Sequence, residues 1–265
     1  MTISVIALPG GVNPAPLRYA PLASALAGEV DFHLKDLEVY ARDEPPAGYS
    51  IDLEVDAVAR FADSVGLERF HLLGYSGGGY VALAFAGAHR ERLLSLALFE
   101  PARVPGPPTP AEAALHQRLE KALAGLDGSD FLRAFMETQV APGVRLAPPA
   151  GPPPPWMRSR PAGLAAMMVA FDAYTFDRSS LRRCDFPVFL GYGELTGEYE
   201  AVKVSILSQL LPDVHIRRFA AIHHFVFPEE LYSPQHVAAL VELWTRADRL
   251  SGRARGEEPA GSRSS

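Results

Sequence analysis

Ser76, Gly77 and His224 are the residues whose type and setting point most directly to chemistry. Ser76 stands in Gly74-Tyr75-Ser76-Gly77-Gly78, the G-x-S-x-G spacing. A short apolar, β-prone run, Arg69–Leu73, precedes it, and a helix-periodic segment, Tyr80–His89, follows. Strand, sharp turn and helix together thrust a hydroxyl out of a strained bend, and the flanking glycines leave room for backbone on both sides. The Gly77 amide then points into the same space as the Ser76 hydroxyl, at the positive end of the following helix. His224 lies in Ala221-Ile222-His223-His224-Phe225. Its imidazole titrates near neutrality, so it can accept a serine proton and return it to a leaving group. The rival account of the turn, a helix start with glycines for packing, leaves Ser76 idle.

These groups need a scaffold that brings distant loops together, and the chain alternates the elements of one. Ile3–Leu8 reads as a buried strand, Pro9–Pro14 as a loop, Leu17–Ala27 as an amphipathic helix and Val30–Leu37 as a second strand. Ser50 caps a helix that runs to about Val65, with Asp52 and Glu54 in its first turn and Gly66 as its stop. After the serine unit comes a further apolar run, Leu93–Phe99. The pattern resumes with strand Phe186–Gly191, a helix around Tyr199–Leu211, strand Val214–Phe219, the histidine loop and a helix from Pro234 to about Arg249. Strands alternating with helices of this length predict βαβ units and a parallel sheet covered on both faces.

Between the two halves the composition changes. Residues 101–110 hold five prolines and residues 148–155 hold six. Thr109-Pro110-Ala111-Glu112 is a capping box with proline at N1, opening a helix to about Ala124. Ser129–Gln139 and Pro161–Tyr174 are further helical candidates. The reading is therefore a core of residues 1–100 and 184–250, a mostly helical, proline-rich insertion over 101–183, and a polar, disordered tail over 251–265.

Composition narrows the function. The net charge is −6 with an apolar fraction of 48% and no basic run, which argues against nucleic acid or an anionic membrane as partner. The longest apolar stretches are strand-sized, so no membrane span is expected. The start reads as a strand and not as a signal peptide. Cys184 is the only cysteine, which rules out an intrachain disulfide and favours a cytoplasmic setting. Cys184 itself reads as a small buried filler. No phosphate loop, dinucleotide fingerprint or flavin signature occurs, and His33, His71, His89, His116, His215 and His236 lack metal-like spacing. No metal or cofactor is expected.

With the strand–Gly74-Tyr75-Ser76-Gly77-Gly78–helix unit in place, the chain resembles the α/β-hydrolase superfamily over roughly residues 3–100 and 186–248. The resemblance implies an α/β fold with a mostly parallel sheet of about six strands, helices on both faces and a helical cap at 101–183. The family's first two, antiparallel, strands have no counterpart here. Pro9-Gly10-Gly11 stands where many members have His-Gly-X, which implies Gly11 as the second oxyanion donor beside Gly77, with Val12 as its neighbour to watch. His224 matches the histidine of the family's Gly-His-Phe, and His223 takes the glycine position as a pocket wall or a support. The acid departs from the pattern. Thr196 in Gly193-Glu194-Leu195-Thr196 occupies the place of the usual aspartate, and a threonine cannot balance an imidazolium. Some members carry the acid at the end of the preceding strand, here Glu100, with Glu194 and Glu198 as alternatives.

A serine at the nucleophile position implies an acyl-enzyme, and hence cleavage of an ester, thioester, lactone or amide. The stripe Ala165-Ala-Met167-Met168-Val-Ala-Phe171 gives the insertion an apolar face. The expected substrate is therefore a small, largely apolar molecule, with Tyr75, Met167, Met168, Phe171 and His223 around it. Two other readings use the same scaffold: a lyase or cyclase, suggested by the missing aspartate at 196, and a binding protein with a decayed pocket.

Overall fold

The computed structural model describes residues 2–146 and 151–254. Six strands form one sheet: β1 (Ile3–Leu8), β2 (Val30–Leu34), β3 (Phe70–Tyr75), β4 (Leu93–Phe99), β5 (Val188–Gly193) and β6 (Val214–Phe219). Every pairing is parallel, in the order β2-β1-β3-β4-β5-β6. The winding reverses between β1 and β3, since β2 lies on one side of β1 and all later strands on the other. In open α/β sheets ligands bind outside the carboxyl ends of the strands at such a reversal. The loop Pro9–Val12 after β1 and the turn at Ser76 after β3 stand at that point.

Helices α1 (Ala15–Ala25), α2 (Ile51–Ser64) and α3 (Gly77–Ala88) link the first four strands. Three more, α4 (Pro110–Leu123), α5 (Gly128–Thr138) and α6 (Arg160–Ala173), lie between β4 and β5. After β5 come α7 (Tyr199–Leu210), a single turn α8 (Pro228–Leu231) and α9 (Pro234–Ala254). The helix starts follow the local chemistry expected of them. The Ser50 side chain accepts from the Leu53 amide at 3.2 Å, and Thr109 and Glu112 form the reciprocal capping box of α4.

Alternation along the strands divides the core in two. Ile6, Leu8, Leu72, Leu98 and Leu190 face α2, α3 and α7. Val5, Ala7, Leu73, Tyr75, Ala97 and Phe99 face the opposite way, against α1 and α9, where Trp244 is fully buried. Cys184 is buried, and desolvation pushes its thiol up to about 11, as suits an inert filler.

Element boundaries shift by up to a few residues from expectation, and two of the shifts have a visible cause. β2 stops at Leu34 because the chain leaves the sheet for a tight turn at Glu38–Tyr40, whose amides at Glu38 and Val39 donate to the buried Glu54 carboxylate. α9 runs on to Ala254, so 251–254 is helical where the sequence predicts disorder. Arg69 donates to Ser251 Oγ at 3.1 Å and the His71 ring meets Asp248 at 3.2 Å, which anchors that last turn to the sheet. The remainder of the tail lies outside the described residues, as does part of the 148–155 proline run. Among the described residues no helix is long and apolar enough to cross a membrane.

Candidate active site

Ser76 forms the bend between β3 and α3 with φ 51° and ψ −115°, left-handed backbone that costs a non-glycine residue about 1–3 kcal/mol. The surroundings hold it there. Its amide donates to the Phe99 carbonyl at 3.1 Å, and its carbonyl accepts from Ala102 at 2.8 Å and Tyr80 at 3.1 Å. Glycine is required beside it. A Cβ at Gly78 would stand 2.4 Å from the Pro9 carbonyl oxygen, and one at Gly74 would stand 2.7 Å from the Gly78 carbonyl oxygen. That crowding is what brings the β1 loop against the serine.

His224 follows β6 on a loop with a left-handed residue at Ala221, φ 59°. Its Nε2 lies 3.0 Å from Ser76 Oγ, and its Nδ1 lies 2.5 Å from Glu100 Oε2. Glu100, at the end of β4, is itself left-handed, φ 46°, and fully buried. Its other oxygen accepts from the Gly193 amide at 2.6 Å and from the Thr196 hydroxyl at 2.5 Å. Burial raises the Glu100 carboxyl, but the hydrogen bonds from His224, Thr196 and Gly193 outweigh it, and the group titrates below the usual carboxylate range. Burial lowers the His224 imidazole, and Glu100 only partly offsets this. At neutral pH the arrangement is thus a neutral imidazole between a hydroxyl and a carboxylate.

The other acid candidates go elsewhere. Glu194 pairs with Arg218 at 2.9 Å, and Glu198 pairs with Arg118 at 2.5 Å, all at the exposed surface. Thr196 does not replace the acid; it donates to it. An antiparallel bridge between Val140 and Thr196 ties this loop to the segment after α5. The Gln139 carbonyl accepts from the Gly197 amide at 2.9 Å.

Gly11 and Gly77 line the same small cavity as Ser76, and a Cβ on Gly77 would lie 3.7 Å from the Gly11 nitrogen. Tyr40 fixes the loop, its hydroxyl donating to the Gly11 carbonyl at 2.7 Å. The Arg160 guanidinium lies 3.8 Å from the centre of the Tyr40 ring. The inserted helix α6 covers the glycines. Leu164 Cδ2 stands 2.4 Å from where a Gly11 Cβ would be, and Met167 Cε stands 2.3 Å from that of Gly77. Met168 and Phe171 complete that apolar wall, with Leu119 and Phe135 from α4 and α5.

Two expected wall residues are placed differently. Tyr75 belongs to the α9 face of β3, as alternation dictates, and it borders neither cavity described at the site. Its ring stacks on His224 with centroids 5.2 Å apart, and its hydroxyl donates to the His224 carbonyl, so it supports the histidine from below. His223 turns its Nδ1 back to accept from the Phe225 amide at 3.1 Å, which closes the turn instead of walling the pocket.

Sequence reasoning did not name Tyr40, Leu164, Tyr199 or Arg103 for the site. Leu164 was within reach, because 164, 167, 168 and 171 share one face of a helix. Arg103 borders the cavity and pairs with Asp172, but nothing local to either residue signals that. Among the described residues no group of His, Cys, Asp and Glu side chains is arranged to hold a metal.

A family model described as alpha/beta hydrolase fold matches residues 4–134. No curated protein matches the sequence. Solved structures do match. The carboxylesterase CesB from Bacillus subtilis is 19% identical, with 92% of this chain and 84% of that one covered and a TM-score of 0.64. A hydrolase from Pseudomonas aeruginosa is 20% identical over 91% of this chain and 89% of that one, TM-score 0.67. A thermophilic esterase from Thermogutta terrifontis is 17% identical over 93% and 90%, TM-score 0.67. At these identities the likeness is one of fold.

Proposed function

The chain belongs to the α/β-hydrolase superfamily, and we propose that it is a serine hydrolase cleaving a small, largely apolar ester, thioester or lactone through an acyl-enzyme. The observation that carries this reading is the unbroken relay from Ser76 Oγ through His224 to Glu100, at 3.0 and 2.5 Å.

In the proposed reaction Ser76 Oγ attacks the substrate carbonyl carbon as His224 Nε2 takes its proton. The carbonyl oxygen becomes an oxyanion held by the Gly77 and Gly11 amides, which are fixed before the charge appears. Glu100 keeps the Nδ1 proton in place and balances the imidazolium without accepting the proton itself. When the tetrahedral intermediate collapses, Nε2 returns the proton to the departing oxygen or sulfur, leaving Ser76 acylated. Water repeats the sequence: it gives a proton to Nε2, attacks the acyl carbon, and Ser76 leaves with that proton. The apolar wall of Leu164, Met167, Met168 and Phe171 suits a short, uncharged acyl group, and the cavity it encloses is only about 40 Å³.

The bond from Thr196 to Glu100 leaves the lyase reading without the feature that motivated it, since the acid arrives from the neighbouring strand. A screen of chromogenic short-acyl esters with wild type and Ser76→Ala tests the proposal. Turnover of at least one ester should fall by about four orders of magnitude or more in the variant. Activity indifferent to that substitution would end the reading.

A further inference from the structure

The cleft at Ser76 has two adjoining compartments of unequal size, both walled mainly by apolar surface, the larger with the greater polar share. The smaller, about 40 Å³, contains Ser76, Gly11 and Gly77 under apolar side chains. The larger, about 220 Å³, is bordered by His224 and Thr196 and by His116, Tyr199, Glu200 and Lys203. Leu119, Gln139 and Tyr199 border both. Acyl transfer at this serine sorts a substrate between them. The carbonyl oxygen must lie against the Gly11 and Gly77 amides, and the departing atom must face His224, which protonates it. The acyl group then falls in the small compartment and the leaving group in the large one.

Glu200 is the unusual group in the large compartment. Its side chain is 3% exposed, and its Oε1 has no hydrogen-bond partner among the described residues. Lys203 Nζ donates across 2.7 Å to Oε2 and also to the Pro101 carbonyl at 2.5 Å, so Oε1 is the oxygen left without a donor. Burial pushes the Glu200 carboxyl up to about 7 despite the lysine. A buried acceptor left without a donor is costly, and a ligand that supplies one recovers that cost. The charge of the pair narrows what the donor is. An ammonium reaching Glu200 meets Lys203 beside it, and an anion meets the bare carboxylate. A neutral hydroxyl meets neither objection. The His116 ring bonded to the Tyr199 hydroxyl at 2.7 Å is held uncharged, with burial pushing its pKa down to about 4, so this wall adds no charge.

We propose that the larger compartment receives the leaving alcohol, and that Glu200 selects alcohols bearing a second, free hydroxyl that donates to its carboxylate. The substrates are short-acyl monoesters of diols or polyols. This rests on the acyl-enzyme reading above and adds a substrate class to it.

The test compares 4-hydroxybutyl butyrate with pentyl butyrate, which share an acyl group and differ by a hydroxyl for a methyl. Rates are corrected for their alkaline hydrolysis. Wild type should favour the hydroxylated ester by about tenfold or more in kcat/KM. The ratio should fall close to one in Glu200→Leu and lie between in Glu200→Gln, whose amide oxygen still accepts. If Glu200→Leu does not fold, as read by its melting curve, the wild-type ratio and the near-isosteric Glu200→Gln decide. Equal cleavage of the two esters by wild type, or a ratio that survives in the variants, overturns the assignment. Ser76-dependent cleavage without hydroxyl preference, or cleavage of neither ester by a wild type that turns over the chromogenic esters, removes this inference alone. No turnover of any ester by wild type removes the hydrolase reading with it.

Discussion

The ends of β4 and β5 meet at the acid side of the site and divide its work between them. β4 runs directly into Glu100, which reaches His224 Nδ1 with one oxygen. β5 ends in Gly193, and its amide joins the Thr196 hydroxyl on the other oxygen of the same carboxylate. The acid and its supports therefore stand on neighbouring strands, across the pairing that sets Phe99 beside Gly191. What the site needs is a carboxylate at Nδ1, held ionised by donors behind it, and either strand end is close enough to provide the charge or the donors. Glu100 reaches the position with its longer side chain and a left-handed backbone, a strain its amide bond to the Gly191 carbonyl at 3.1 Å helps to hold.

Removing the charge at β4 should have the largest effect. Glu100→Gln keeps the shape but lets the imidazole turn or take the wrong tautomer, and kcat/KM on a short-acyl ester should fall about 10⁴-fold. A loss within tenfold would mean the carboxylate is only a loop anchor. The pH profile sharpens the same contrast. His224 must be neutral to accept a proton, and burial holds its pKa below the ordinary value of 6.5, so the acid limb of kcat/KM in wild type should lie below pH 6.5. Glu100 raises that pKa, so the residual activity of Glu100→Gln should persist to still lower pH. An acid limb at or above 6.5 in wild type, or one that moves upward in the variant, contradicts the assignment.

Moving the charge across the strands gives an intermediate effect. Thr196 Oγ1 already lies 2.5 Å from Glu100 Oε1, so Glu100→Gln with Thr196→Asp returns a carboxylate to the neighbourhood of Nδ1. The double variant should recover about tenfold or more over Glu100→Gln alone in kcat/KM. No recovery would show that the two strand ends are not interchangeable. The smallest effect belongs to the support. Thr196→Val leaves a buried carboxylate oxygen with one donor fewer, a deficit of about 1–3 kcal/mol, and kcat/KM should drop about tenfold. An unchanged rate would leave Gly193 as the only donor that matters.

This division also marks how far the sequence could be read. Ser76 was legible because strand, glycine-flanked turn and helix are written in consecutive residues, and His224 because its loop lies between a strand and a helix. The sheet was legible because alternating apolar runs and capped helices are local signals; Ser50 and Thr109 cap where the pattern says. Glu100 emerged only as the best of three acids, since a bond across 124 positions depends on which strands become neighbours. Tyr75 adjoins Ser76 in sequence, yet the two-residue period of β3 sends it to the opposite face. The sides of the cleft drawn from α4, α5 and α7 were the least legible. Leu119, Gln139, Tyr199 and Glu200 come together through helix packing that no single window of the chain encodes. Residues 251–254 are helical for a similar reason, because Arg69 holds Ser251 from far away in sequence.

The central claim is that His224, oriented by Glu100, makes the Ser76 hydroxyl a nucleophile. Intact-protein mass analysis after exposure to a serine-directed fluorophosphonate tests it without knowledge of the substrate. The account predicts one covalent adduct on wild type, mapped to Ser76, that disappears in Ser76→Ala and forms far more slowly in His224→Ala. An unmodified wild-type protein, or an adduct that forms equally well without Ser76 or His224, would contradict it.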